Sequence, residues 1–168
     1  ARRGTLVHKL LERLPDVGMA SREDSGRAWL ARNAADLPEA ERDAMLATAL
    51  DVLANPDWAP LFAPGSLAEV PVAAVVGGQV VAGTIDRLVV EPGRVRLIDY
   101  KTARRPPEAL DQVPRGVLRQ MGAYAAALET TFPGRTVEVA LLYTTAPRLI
   151  TVPPEVLAAH KPDLPPGE

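Results

Sequence analysis

The chain predicts a mixed α/β fold, a central sheet begun by a three-stranded antiparallel meander and flanked by helices, and three observations lead there. Apolar residues recur at helical spacing through the first third of the chain. From Leu67 the period changes to two, with Gly77-Gly78 and Pro92-Gly93 as punctuation. Helical spacing then returns between Gly116 and Thr130, ahead of two further stretches of strand character. A layered sheet is the simplest way for this order of elements to bury every apolar face.

Taken in order, Thr5 to Leu14 carries Leu6, Val7, Leu10, Leu11 and Leu14 at helical spacing and stops at Pro15. Ser21, followed three residues on by Asp24, reads as a capping box for a helix through about Asn33. Asp36 with Pro38 opens another helix that runs to about Leu53. Asn55 to Ser66, with three prolines and a glycine, is a loop. Leu67 to Val76, Gln79 to Val90 and Arg94 to Lys101 are the strands of the meander, joined by a two-residue hairpin turn at Gly77-Gly78 and a turn at Pro92-Gly93. After a loop rich in arginine and proline, a helix begins at Val113 or Gly116, passes through Val117, Met121, Tyr124, Ala125 and Leu128 and ends before Pro133-Gly134. Thr136 to Thr144 and Arg148 to Val152 are two more strands, and Pro154 to His160 is a short helix. A helical part, residues 1–54, and a core, residues 67–152, make up a single expected domain over residues 1–168.

Composition bounds the chemistry. The 47% hydrophobic and 24% charged fractions are those of a folded globular chain. No apolar run approaches the roughly 20 residues that cross a bilayer, and no targeting segment is seen, so no membrane contact and a cytoplasmic setting are the expectation. The absence of cysteine excludes disulfides, thiolate zinc sites, iron-sulfur clusters and cysteine nucleophiles, so any metal must be held by oxygen or imidazole. A net charge of −2 argues against gripping nucleic acid by bulk electrostatics. The distribution differs from the sum, because the eight basic and four acidic residues between Arg87 and Arg119 give that segment +4 and leave −6 on the remainder. Such a segment suits a local phosphate-handling site or, more commonly, a solvated face of mixed charge. The phosphate-binding pattern G-x-x-x-x-G-K-[ST] is absent. Trp29, Trp58 and Phe62 are read as packing residues, and with aromatics at 4% no platform for stacking single-stranded bases is expected.

Hairpin turns fix register, and register gathers the acids. The Gly77-Gly78 turn puts Glu69 opposite Asp86, and the turn at Pro92-Gly93 puts Asp86 opposite Asp99. Lys101 shares the face of Asp99, with Thr84 across from it. Like charges directly opposite one another destabilise a strand pair, and aspartate is depleted in strand interiors, so something positive belongs among these carboxylates. Lys101 alone would make a surface salt-bridge cluster. A divalent cation with oxygen ligands accounts better for Asp99, which follows Leu97 and Ile98 in a stretch that should be buried.

Four strings, in order, resemble one family. Arg3-Gly4-Thr5-Leu6-Val7-His8-Lys9-Leu10-Leu11-Glu12, Gly83-Thr84-Ile85-Asp86-Arg87-Leu88, Leu97-Ile98-Asp99-Tyr100-Lys101-Thr102 and Gln120-Met121-Gly122-Ala123-Tyr124-Ala125 resemble the motifs of the PD-(D/E)xK nuclease superfamily in its RecB-like branch. The nearest resemblance is to the C-terminal nuclease domains of AddA-type helicase-nuclease subunits, and it runs from about Arg3 to Thr145. The proline of the superfamily's name is replaced by Ile85, and the second acid is Asp99 rather than glutamate, both usual in that branch.

The resemblance implies a restriction-endonuclease-like fold and a Mg²⁺-dependent deoxyribonuclease, with Mn²⁺ as a substitute ion. Asp86 and Asp99 would be metal-binding acids, His8 a metal ligand, the Tyr100 carbonyl a further ligand and Lys101 the catalytic lysine. If two ions bind, Glu69, whose place rests on the strand register, would help hold the second. Gln120 and Tyr124 would border the site, or else Tyr124 is core with Gln120 at its edge. Arg104, Arg105, Arg115 and Arg119 would track DNA by phosphate contacts. On a helical wheel His8 lies off the leucine stripe, beside Glu12, where a solvated residue is the ordinary reading. The family also implies an exonuclease-type domain in double-strand break repair, a C-terminal piece of a longer chain with a helicase and a partner subunit. Two other readings stay open: a silent nuclease-like scaffold or DNA-binding module, and a hydrolase acting on small phosphate esters.

Overall fold

The computed structural model describes residues 1–162; the last residues of the expected domain, 163–168, lie outside the described part. Its elements are α1 (Arg2–Arg13), α2 (Arg22–Asn33), α3 (Glu39–Ala54), β1 (Leu67–Val76), β2 (Gln79–Val90), β3 (Arg94–Lys101), α4 (Arg115–Thr131), β4 (Thr136–Tyr143), β5 (Arg148–Val152) and α5 (Pro154–His160). The expected mixed α/β class is the one observed, with five strands in the order β1-β2-β3-β4-β5.

The helical part differs from expectation at its ends. Ser21 has helical backbone angles and makes no side-chain capping bond, so the expected capping box does not form; a capping residue needs an extended backbone to aim its oxygen at the first turn. Asp36 does not cap α3 either. It is taken by the Arg2 guanidinium, which donates to both its oxygens and ties the start of α1 to the α2–α3 connection. The loop over residues 55–66 holds a 3₁₀ turn, Ala59–Phe62, that tucks Leu61 and Phe62 inward beside Trp58.

The sheet separates two cores. On one face α1, α2 and α3 pack Leu10, Leu11, Leu30, Met45 and Val52, joined by Phe62 of the 3₁₀ turn, against Ile98, Tyr100 and Leu142. On the other, α4 packs Leu118, Met121 and Tyr124 against Val72, Ile85, Leu97, Val139 and Leu141. Burial of this kind is worth about 1.5–3 kcal/mol for each large aliphatic side chain. β3 and β4 are parallel, with Asp99 beside Leu141 and Lys101 beside Tyr143. α4 is the crossover that a parallel pair requires. Two glycines permit close approaches. A Cβ on Gly4 would meet the Thr102 Oγ1 at 2.5 Å, and one on Gly83 would meet the Tyr124 hydroxyl at 2.0 Å. The first lets α1 settle on the end of β3; the second lets α4 settle on β2.

Register holds as the turns require. β1 and β2 pair from Val76↔Gln79 to Leu67↔Leu88, and only the position of Glu69 and Asp86 is missing from the ladder. β2 and β3 pair from Val90↔Val95 to Arg87↔Ile98 and stop one step before Asp86 and Asp99. At this same place the pleat breaks. Ile85 packs on the α4 side, whereas Arg87, two residues on, reaches Leu11 and Tyr100 on the other; an unbroken strand would keep both on one face. Glu69 takes a left-handed backbone, φ 51°, which costs a residue with a Cβ about 1–2 kcal/mol.

Candidate active site

The break in the pleat is where the acids gather. Since the ladder ends at Arg87, Asp86 does not face Asp99 through backbone bonds; its Oδ2 instead accepts the Tyr100 N–H at 2.7 Å. One carboxylate oxygen thus replaces a strand carbonyl, and the rest of the group turns toward Asp99. Burial, the Asp99 charge and the Glu69 charge push the Asp86 carboxyl up to about 7, against the Tyr100 hydrogen bond and Lys101. Burial is the larger cause and the Asp99 charge adds to it, so ionising Asp86 here is costly even with Lys101 at hand.

Asp99 is the more enclosed acid, 8% exposed. The Lys101 Nζ lies 2.9 Å from its Oδ2. Oδ2 is sealed from solvent and, beyond this ion pair, has no hydrogen-bond partner among the described residues.

His8 completes the group from α1. Its ring stands edge-on to Tyr100, centroids 5.4 Å apart, and its Nε2 is the other sealed atom without a partner. Burial lowers the imidazole's pKa, the Asp99 charge opposing and Lys101 adding to it, so the ring is held in the neutral form that binds a metal. The wheel position that read as solvated is turned to the sheet because Gly4 seats α1 on Thr102.

Glu69 stands opposite Asp86 in register, half-buried, and acts on it through its charge. Among the described residues no three carboxylate or imidazole side chains converge as a ready-made cage. The donor set nevertheless fits a hard divalent ion, since Mg²⁺ takes one or two carboxylates and keeps several waters. Asp86, Asp99 and the orphaned His8 Nε2 are the side chains that would hold it, with the Tyr100 carbonyl on the intervening residue.

Of Gln120 and Tyr124, the tyrosine packs and the glutamine stays at the surface. Tyr124 is 7% exposed in the α4 core. Gln120 is exposed and reaches the Tyr124 hydroxyl only at 3.4 Å. The arginines divide. Arg104 and Arg105 are exposed in the loop directly after Lys101. Arg115 and Arg119 stand on the first turns of α4 and line a recess with Gln79 and His160. Gln79 is seven residues along β2 from Asp86, roughly 20 Å of strand.

The +4 segment is not a single basic patch. Arg94 and Arg96 pair with Glu91 and Glu138 at the far end of β3. Arg87 is 2% exposed and is structural. It donates to the Leu11 carbonyl at 2.8 Å, the Ser66 Oγ at 3.1 Å and the Tyr100 hydroxyl at 3.2 Å, with its guanidinium 5.3 Å from the Phe62 ring. It fastens the end of α1 to β2 and to Tyr100, which is itself pushed up to about 12 by burial. Sequence reading missed this residue as part of the site's support; the signal was an arginine inside a strand between Asp86 and the apolar run Leu88-Val89-Val90.

A mixed sheet whose second and third strands part around two aspartates and a lysine defines a class. A model of the PD-(D/E)XK nuclease superfamily matches residues 1–162, and the chain belongs to that superfamily. Among solved structures it is similar to a candidate exonuclease from Eubacterium rectale, with a TM-score of 0.62 and 11% identity over 94% of this chain and 62% of that one. The chain therefore spans less than two thirds of that protein's length, and the likeness is one of fold. The crystal structure of SSO0001 aligns over 92% of this chain and 70% of its own at 18% identity, with a TM-score of 0.38. No curated protein sequence matches the chain. Among the described residues no helix is long and apolar enough to cross a membrane.

Proposed function

We propose that this chain is a Mg²⁺-dependent deoxyribonuclease, an exonuclease-type domain that works beside a helicase of the AddA kind in double-strand break repair. The observation that carries the reading is the sealed His8 Nε2, which has no hydrogen-bond partner among the described residues, beside two aspartates that share Lys101 and an Asp86 carboxyl raised to about 7. Buried polar atoms without partners cost free energy and are rare in structural positions. A bound divalent ion supplies Lewis-acid activation of water and of the phosphoryl group.

The chain's own residues do the rest. Asp86 and Asp99 contribute the negative donors, each held at a fixed place by β2 and β3. His8, kept neutral by burial, adds a nitrogen donor without adding charge. The Lys101 ammonium stands at the mouth of the acid pair and is placed to orient the attacking water and to stabilise charge growing on the phosphate oxygens. Arg104 and Arg105 extend positive charge outward from Lys101 and would hold the neighbouring phosphates without reading sequence.

With so little basic surface, the chain alone should bind DNA weakly and in a strongly salt-dependent manner, with a slope of roughly −0.9 per phosphate contact on duplex. A motor in the same full-length chain and a partner subunit would deliver the strand. The test is a cleavage assay at low salt with Mg²⁺, with Mn²⁺ and with chelator, on DNA and on small phosphate esters. DNA products that need the ion support the reading. DNA binding indifferent to Mg²⁺ with no products at any enzyme concentration would make the chain a silent scaffold, and turnover of small esters alone would make it a different hydrolase.

A further inference from the structure

Beside the acid pair lies a recess that the proposed chemistry does not use. It opens between the loop after β3 and the first turns of α4, and has a volume of about 320 Å³. Its walls are Thr102, Ala103, Pro107, Pro114, Val117 and Tyr143, mostly apolar, and its cationic rim is Lys101 and Arg105. Lys101 thus belongs to both places at once, since its Nζ also pairs with Asp99 at 2.9 Å. Arg148 holds the loop in place by donating to the Pro107 carbonyl, and Tyr143 is anchored next to Lys101 by the β3–β4 ladder.

A cavity with apolar walls and two cations at its lip selects a ligand that joins an apolar ring to a phosphate. Its size is at the small end of ligand pockets, which suits one nucleotide and not a stretch of duplex. We propose that this recess is a subsite for the base of one unstacked nucleotide beside the phosphate that is cut. The proposal rests on the nuclease reading and adds to it a place for one base of the substrate. In a paired duplex a base is stacked and hydrogen-bonded, and withdrawing it costs a few kcal/mol; in a single strand that cost is largely absent. Prolines and a buried tyrosine present a fixed surface that loses little entropy on contact.

The experiment uses single-stranded oligonucleotides in which one tetrahydrofuran residue, a sugar with no base, is stepped along the strand. The wild-type chain is compared with Val117→Phe and with Ala103→Leu, two ways of filling the recess from different elements. With Mg²⁺, wild type should cut the bond beside the missing base about tenfold more slowly than the same bond in the intact strand. The filled variants should cut the intact strand about tenfold more slowly and no longer distinguish it from the abasic one. Equal rates on intact and abasic strands by wild type, or undiminished discrimination by both filled variants, would overturn the subsite. Hydrolysis of methyl 4-nitrophenyl phosphate, a phosphodiester with no nucleobase, separates the two claims. If it persists in all three proteins while discrimination is missing, only the subsite falls, and if wild type hydrolyses neither ester nor strand, the nuclease reading falls and the subsite with it.

Discussion

The two ends of β3 carry charge in opposite ways. At its start, Arg94 meets Glu91 at 2.6 Å and Glu138 at 3.5 Å, and Arg96 meets Glu138 at 3.6 Å. Every charge there has an opposite neighbour and a share of solvent. At its end, Asp99 and Asp86 lie together, Asp99 has an oxygen with no hydrogen-bond partner, and the His8 nitrogen beside them has none either. A chain that only needed stability could have matched charges at both ends of one strand. At the far end two aspartates share one lysine, Lys101 at 2.9 Å from Asp99, and that surplus of negative charge beside an unused imidazole nitrogen marks the end as arranged for something from outside.

The largest break in this contrast should come from the acids themselves. Asp86→Ala and Asp99→Ala should each lower Mg²⁺-dependent cleavage by at least about a thousandfold, with circular dichroism unchanged and metal-free stability equal or higher as repulsion across the strands is relieved. Lys101→Ala should also lose turnover, yet calorimetric titration with Mn²⁺ should still show binding. Full activity in either aspartate variant, or loss of Mn²⁺ binding in Lys101→Ala as complete as in Asp99→Ala, would break the division of roles.

Proton linkage sharpens the comparison next. The folded-state pKa of Asp86, about 7, stands above that of an unfolded aspartate, near 3.9. Between those values the folded chain binds the extra proton. Metal-free stability should therefore fall as pH rises from about 4 to about 7, by up to a few kcal/mol. Asp86→Asn should flatten that slope, and Mg²⁺ should oppose it. Asp36 runs the other way, its carboxyl held down to about 2 by the Arg2 hydrogen bonds, so what it contributes is present above about 4 and fades as pH falls toward 2. Urea unfolding at several pH values with chelator separates the two, and a flat profile from pH 4 to 7 in the wild type would contradict the charge state assigned to the site.

Arg87→Met should cost about 2–3 kcal/mol in urea unfolding, because the Leu11 carbonyl, the Ser66 hydroxyl and the Tyr100 hydroxyl lose their shared donor. It should also weaken Mn²⁺ binding, since α1 carries His8. The smallest effect belongs to the matched end of the strand. Arg94→Ala and Arg96→Ala should change stability by less than about 1 kcal/mol and cleavage not at all; a tenfold loss of cleavage in either would show that the two ends do not work separately.

How much of this could be read in the residues follows from how local each cause is. Gly77-Gly78 and Pro92-Gly93 set the ends and the register of β1 to β3, so the meeting of Glu69, Asp86 and Asp99 was legible. The parallel pairing of β3 with β4 was not, because no turn joins those strands and α4 has to be placed first. The broken pleat at Asp86 was also hidden. It depends on the left-handed backbone of Glu69 and on the Tyr100 N–H choosing a carboxylate over a carbonyl, neither of which has a periodic signature. Arg87 counted as surface charge because its partners come from α1, the loop before β1 and β3, all distant in sequence. His8 was readable only through its family motif, since the wheel that placed it among solvated residues could not know that Gly4 would bring that edge of α1 onto Thr102.

The most direct test of the central claim is a crystal of the chain soaked in Mn²⁺, examined by anomalous scattering. The account predicts a peak at the parting of β2 and β3, coordinated by Asp86, Asp99 and the His8 Nε2, with the Tyr100 carbonyl within reach and no comparable peak among Arg94, Arg96, Glu91 and Glu138. A peak held by other residues, or none at millimolar Mn²⁺ with both aspartates still crowded together, would contradict it.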